Sequence, residues 1–260
     1  MKPINPDRGR GAAALTRPRF RWPKTFPPLT ADQQIVSDDF MKYWHEVLPR
    51  KFGAIERFNH TYPLRVRPAA PFRTLEIGAG LGEHISYENL DVQEYHCIEL
   101  RPAMADAIRA KFPRVNVVTG DCQSRGPFED AYFDRVLAVH VLEHLPNLPA
   151  AIDEVRRVLK PGGLFSIVIP CDPGLAYAVA RKISAERLFR RRYRMPYEWF
   201  IRREHVNSPA EILSVLRDGF TKLHRAYFPM VVPLWWANLC MGLTLRRLPS
   251  EAPATCVDNV

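Results

Sequence analysis

Phe72-Arg73-Thr74-Leu75-Glu76-Ile77-Gly78-Ala79-Gly80-Leu81-Gly82 is the stretch on which the fold turns. A short apolar run over residues 72–77 leads into glycines at every second position, which predicts a strand, a sharp turn and a helix just beyond. Glycine permits such a turn and lets backbone N–H groups approach a ligand with no Cβ in the way. That geometry builds nucleotide-type sites at the carboxyl end of a parallel sheet. A dinucleotide turn, G-x-G-x-x-G, would need glycine at position 83. Glu83 stands there, and its carboxylate would repel a pyrophosphate at the helix start.

Further along, the same alternation continues. Residues 95–98 predict a second strand ending in Glu99, followed by a Pro-started helix over about residues 101–111. An acid about 20 residues past a glycine turn, at a strand tip, suits a ribose diol, because a carboxylate can accept two hydroxyl hydrogen bonds. Residues 115–118 predict a third strand, with Gly120-Asp121-Cys122 behind it. Residues 132–139 predict a fourth, running into His140-Val141-Leu142-Glu143-His144-Leu145-Pro146-Asn147. A helix over about 148–159 ends in Lys160-Pro161-Gly162-Gly163, which turns the chain into a fifth strand over 164–169.

This order of elements, across roughly residues 67–172, resembles the class I S-adenosylmethionine (SAM) dependent methyltransferases. Glu76 ahead of Gly78, Gly80 and Gly82 is similar to their motif I, and the closest likeness is to the type 11 subgroup that includes the ubiquinone-biosynthesis methyltransferases. The resemblance implies an α/β fold: a Rossmann-like, seven-stranded, mostly parallel sheet with helices on both faces and an inserted substrate lid. It implies SAM as the cofactor, a cation without phosphate, with which carboxylates around the turn are compatible. The implied cofactor contacts are Glu76, Gly78, Ala79, Gly80, Glu99, Leu100, Asp121, Cys122, Val139 and His140. In the family, an acid at the place of Asp121 accepts from the adenine amino group, and the next backbone N–H, here that of Cys122, serves a ring nitrogen.

A length of 260 residues suits one α/β domain with additions. The expected divisions are a disordered basic, Pro-rich tail (1–29), an N-terminal helical cap (30–66) and the SAM-binding core (67–172). A basic aromatic lid (173–206), a last helix with closing strands and an apolar segment (207–248), and a flexible tail (249–260) complete the chain. The five cysteines form no C-x-x-C pair and are odd in number, which points to reduced residues in a cytoplasmic protein. No His/Cys cluster has metal-ligand spacing, so no metal is expected. The net charge of +9 gathers in the first residues and in the lid. That placement fits a solvated surface, or attraction to anionic lipid, a phosphorylated substrate or nucleic acid. The start lacks the apolar core of a secretory signal, while its arginines also fit a transit peptide.

Thr30-Ala31-Asp32-Gln33 reads as a capping box opening a helix, with Phe40, Tyr43, Trp44 and Val47 on an apolar side expected near the cofactor mouth. The lid carries Phe189, Tyr193, Tyr197, Trp199 and Phe200. Ser208-Pro209-Ala210-Glu211 predicts a second capping box, Gly219 the end of that helix, and residues 220–228 a closing strand. Residues 226–245 are uncharged for a bilayer-spanning length, flanked by Arg225, Arg246 and Arg247. They are read as strand and cap packing; Trp235 and Trp236 leave a peripheral membrane contact open, and Pro229 and Pro233 oppose a spanning helix.

A sulfonium methyl is already electrophilic, so the protein's task is to hold the nucleophile in line with it. A carboxylate acceptor needs no base, whereas a hydroxyl must lose its proton as the bond forms. His140 and His205 are the candidate catalytic residues, since imidazole is the best base near neutral pH. His144 is expected to pack or cap its helix, and Glu143 to be a solvated or capping acid with a base role open. The expected function is methyl transfer from SAM to a hydroxyl or carboxyl of a small, saccharide-like or lipid-linked acceptor. Two alternatives compete: a nucleic-acid methyltransferase, and a membrane-recruited SAM-binding protein without turnover. Enzymes that methylate base amines commonly carry Asp/Asn-Pro-Pro-Tyr/Phe where this chain has His140-Val141-Leu142-Glu143, which disfavours that form of the first. Nothing in the sequence speaks to oligomeric state.

Overall fold

The computed structural model describes residues 20–51 and 53–249. Order begins earlier than the expected tail of residues 1–29 allows. The Trp22 indole donates to Asn207 Oδ1 (3.1 Å), the Lys24 amide to the Pro146 carbonyl (2.8 Å), and the Lys24 ammonium to Glu211 and the Val206 carbonyl. Trp22 also packs against the main core, and an indole gives enough apolar contact to offset the ordering of a short strap. Residues 1–19 and 250–260, the rest of the two expected tails, lie outside the described residues.

Thr30 and Gln33 exchange backbone-to-side-chain bonds (3.2 and 3.1 Å) and start helix α1, Ala31–Lys51, as the capping box requires. The Phe40 ring is buried among Phe189, Tyr193, Tyr197 and Phe200, so α1 packs on the lid. Trp44 and Val47 lie outside the described side chains. Helix α2, Gly53–Thr61, follows and brings Phe58 onto the sheet beside Val168 and Cys240.

Strand β1, Phe72–Ile77, is the middle one of the five parallel strands. After it come β2 (Gln93–Glu99), α3 (Pro102–Lys111), β3 (Asn116–Thr119), β4 (Phe133–Val139), α4 (Leu148–Val158) and β5 (Leu159–Pro170). All five strands run parallel, and their inner stretches are apolar on both faces, as a sheet covered on both sides demands. Leu75, Ile77, Val136, Ala138, Phe165 and Ile167 pack under α4, while Tyr95, Cys97 and Leu137 face Ile108 of α3. Two local expectations change. The helix anticipated after the glycine turn is a single 3-10 turn, His84–Tyr87, because the chain must reach β2 at Gln93. The fifth strand starts at Leu159, paired with Phe133 across a register shift, so Lys160–Gly163 forms its irregular opening.

The segment expected as a lid, called the lid below, forms α5 (Leu175–Ile183), α6 (Ala185–Tyr193) and α7 (Glu198–Glu204). Ser208 and Glu211 close their capping box and open α8, Pro209–Leu216, with proline in the first turn. Strands β6 (Phe220–Phe228) and β7 (Cys240–Arg247) complete seven strands in the order β3-β2-β1-β4-β5-β7-β6, with β7 antiparallel to both neighbours. Gly242 lets the buried Tyr62 ring lie directly on β7: a Cβ there would meet the ring at 2.4 Å. The uncharged stretch 226–245 thus becomes strand, loop and strand. Among the described residues no helix is long and apolar enough to cross a membrane.

Candidate active site

The carboxyl ends of β1 to β5 converge on one edge, and every loop there carries a polar or glycine residue. Gly78 has φ +64°, and an added Cβ would sit 2.6 Å from a Val141 methyl carbon. Gly80, at φ +59°, borders open space filled only by the Glu83 carboxylate, which accepts from the Leu81 amide (3.0 Å). The turn therefore presents backbone in a cradle that side chains would fill, with a carboxylate folded over it. A cation fits that setting and a phosphate does not.

Glu99, at the tip of β2, is 2% exposed. Its Oε2 accepts from the Gly80 amide (3.0 Å), and its Oε1 from the Arg101 amide and Nε (3.1 and 3.2 Å). A carboxylate offers about four acceptor sites. One is left unfilled, and the half-exposed Arg101 side chain takes up a second. Asp121 folds its carboxylate onto Gln123 N (2.9 Å), and Gln123 Oε1 in turn receives the Asn147 amide (2.7 Å). Cys122 is half-buried against the core, and burial, with Asp121 adding to it, pushes its thiol up to about 12. Leu100 is exposed beside Glu99, and the Ala79 side chain is buried, leaving its backbone for a ligand. Glu76 lies behind the turn: its Oε2 receives the Tyr95 hydroxyl (2.9 Å) in the sheet interior.

Beside this edge a chain of titratable groups runs from β4 into the lid. Val139 ends β4, and His140 follows at φ +53°, a left-handed conformation that non-glycine residues hold only when their surroundings dictate it. His140 Nδ1 lies 3.0 Å from Glu143 Oε1, and Nε2 lies 3.9 Å from Cys240 Sγ. Burial works against the His140 imidazolium, but those two partners hold its pKa well above the ordinary range. Burial likewise opposes charge on Glu143, and the His140 bond with the neighbouring imidazoles keeps its carboxyl below the usual range. Glu143 is 1% exposed, so it is not the solvated acid the sequence suggested. His144 is partly exposed and reaches away from its own turn: its Nδ1 lies 2.6 Å from the Glu204 carbonyl oxygen, at the end of α7. Burial lowers the pKa of His144.

His205 reaches the same place from the lid. Its Nδ1 lies 2.9 Å from Asp172 Oδ2, just past the end of β5, and its ring centroid stands 5.5 Å from that of His144. The lid's return is stitched to the β4 loop: Val206 and Asn207 amides donate to the Glu143 carbonyl (2.8 and 3.0 Å). The Asn207 side chain donates to the Leu142 and Leu145 carbonyls (2.9 and 2.7 Å). The structure thus brings together His140 and His205, which sequence reasoning named. It joins to them Glu143 and His144, which the sequence had also raised, and adds Asp172 and Asn207. Adjacency of Glu143 and His144 was visible in the sequence, but nothing local tied either to Asp172 or His205.

Residues 75–167 match the family model described as a methyltransferase domain. A sterol 4-C-methyltransferase of Caenorhabditis elegans is 35% identical over 103 residues, covering 36% of this chain and 29% of that protein. A "Probable phthiotriol/phenolphthiotriol dimycocerosates methyltransferase 2" of Mycobacterium ulcerans is 36% identical over 124 residues, 43% of this chain and 48% of that protein. The chain therefore matches less than half the length of these curated relatives. Among solved structures, a SAM-dependent methyltransferase of Thermotoga maritima superposes with a TM-score of 0.57 at 17% identity, covering 82% of this chain and 99% of that one. At that identity the likeness speaks for the fold alone.

Proposed function

Because residues 75–167 form a class I SAM-dependent methyltransferase domain with SAM as its cofactor, we propose that this chain methylates a hydroxyl of a small, lipid-like acceptor. The observation that carries this reading is the pair of imidazole–carboxylate contacts, His140–Glu143 and His205–Asp172, at the tips of β4 and β5 under an aromatic lid. SAM, when bound, supplies a methyl group on a sulfonium. Backbone at Gly78, Ala79, Gly80, Leu100, Cys122 and Val139, with the carboxylates of Glu99 and Asp121, would hold it; Glu76 supports the turn from behind. His140 marks the methyl side through its backbone. His205, fixed by Asp172, is the better proton acceptor, because His140 is held toward its cationic form.

The acceptor class is argued from apolar surface and from relatives that act, by name, on sterols and dimycocerosates. Leu175, Val179 and Ile183 form an exposed row at helical spacing on α5. The start of α5 abuts the Trp236 backbone, which joins that row to the exposed Met230, Val231, Val232, Leu234, Trp235 and Trp236. Exposed Lys182 lies on α5 itself, Arg187 on the following α6 and Arg225 on β6, the strand that leads into the loop. This is the composition of a peripheral membrane contact, and it would give a lipid acceptor a path to the lid. Nucleic acid fits less well, since Arg181, Arg190 and Arg192 ion-pair with Asp172, Glu186, Glu198 and Asp39 within the fold. A carbon acceptor is the second reading, favoured by the sterol 4-C-methyltransferase relative.

The test is transfer of label from methyl-labelled SAM to a panel of hydroxylated sterols and lipids, with the product bond assigned by NMR. An O-methyl product lost in His205→Ala supports the reading. A C-methyl product replaces it with the second, and label on RNA alone overturns both.

A further inference from the structure

The geometry points to a divalent transition-metal site at Glu143, His144 and His205, on the acceptor side of the fold. One ligand atom from each residue lies within 4.8 Å of the others. An ion with bonds of about 2.0–2.1 Å holds its donors roughly 3.4 Å apart, so side-chain rotations close the three onto one centre. Two further observations point to a ligand. Glu143 Oε2 is buried and has no hydrogen-bond partner among the described residues, while Oε1 serves His140. Each histidine is also held through Nδ1, His144 on the Glu204 carbonyl (2.6 Å) and His205 on Asp172 (2.9 Å). An outer acceptor on one ring nitrogen fixes the tautomer and leaves the other nitrogen's lone pair for a metal, the usual arrangement around ligating histidines.

Two imidazoles and one carboxylate with open positions suit zinc, cobalt, manganese or ferrous iron more than magnesium or calcium. The ion's binding stands apart from the methyl-transfer reading. Its use rests on that reading: an ion here would coordinate the acceptor oxygen and lower the pKa of its O–H, so that the proton passes to water as the oxygen takes the methyl from the sulfonium, with His205 then a ligand and not the base.

The experiment is titration of the untagged, chelator-stripped full chain with Co²⁺, without SAM, followed by its absorption spectrum. One ion per chain with visible d–d bands and no thiolate charge-transfer band is the expected result. His144→Ala and His205→Ala should each weaken binding at least tenfold, and Asp172→Asn, acting through His205, about tenfold. Should those variants not fold, Zn²⁺ must still protect His144 and His205 of the wild-type chain from diethylpyrocarbonate, read by mass spectrometry. Absence of saturable binding, a thiolate band, unchanged affinity in both histidine variants, or equal modification with and without Zn²⁺ overturns the proposal. Failure of methyl transfer, by contrast, would leave the spectrum intact.

Discussion

The Tyr95 hydroxyl donates to Glu76 Oε2 at 2.9 Å, with both side chains buried behind the glycine turn. Burial is the main cause that raises the Glu76 carboxyl to about 8, and the Tyr95 bond only partly opposes it. Glu76 is thus mostly a neutral acid at pH 7, although an unfolded chain would ionise it near 4.5. The folded state holds the extra proton between those values, so this group's stabilisation is complete below about 4.5 and lost as pH rises through about 8.

Glu76→Gln keeps an acceptor for Tyr95 and removes the titration. By urea denaturation the wild type should lose unfolding free energy relative to this variant as pH climbs from 5 to 8. The limiting slope is about 1.4 kcal/mol per pH unit. Glu88 does not interfere: His84 and Arg135 outweigh its burial and hold it near 2, so its contribution is complete above 4.5 and fades only as pH falls toward 2. A gap that stays constant from pH 5 to 8 would show that Glu76 is ionised in the fold.

At the cofactor edge, Glu99→Ala should weaken S-adenosylhomocysteine binding by about 1.5–3 kcal/mol, the range for hydrogen bonds to a charged group. Arg101→Ala should leave affinity equal or improved, because it frees Glu99 Oε1. Isothermal titration of both variants decides it. Unchanged affinity in Glu99→Ala removes that residue from the site.

The parallel core was legible because its signals are local. Glycine spacing, Glu99 and the Pro-Gly-Gly punctuation each lie within a few residues of the element they define. Both capping boxes were legible for the same reason, and both form. The cluster of imidazoles and carboxylates was not, because it is assembled across the chain: Asp172 follows β5, His205 follows α7, and only the fold sets them beside His140, Glu143 and His144. Burial is equally non-local. Glu143 has the composition of a surface acid, and its surroundings come from the lid's return through Val206 and Asn207.

Gly242 offers a test of the sheet itself. A Cβ there would fall 2.4–2.5 Å from ring atoms of Tyr62, whose hydroxyl is already tied to the His224 carbonyl (3.1 Å). With no room for the ring to retreat, Gly242→Ala should lower stability by about 1–3 kcal/mol, the usual cost of overpacking. The readout is the urea midpoint at unchanged slope. A neutral result would mean that Tyr62 does not lie on β7 in solution.

The apolar surface beside the lid makes the last prediction. Val231 is 93% exposed at the tip of the β6–β7 loop, and Ile183 ends the exposed row on α5. Buried area and charge should act together at a membrane, each nearby lysine or arginine adding about 1 kcal/mol over anionic lipid. The chain should therefore co-sediment with phosphatidylglycerol vesicles, bind neutral phosphatidylcholine vesicles more weakly, and release as salt is raised. Val231→Asp and Ile183→Asp put a carboxylate where apolar contact and attraction to anionic lipid both matter, so each should reduce binding about tenfold. Their S-adenosylhomocysteine affinity should be unchanged, which separates loss of docking from loss of fold. Wild-type sedimentation by both variants would leave the apolar row without a membrane role, and the acceptor would then have to reach the lid from solution.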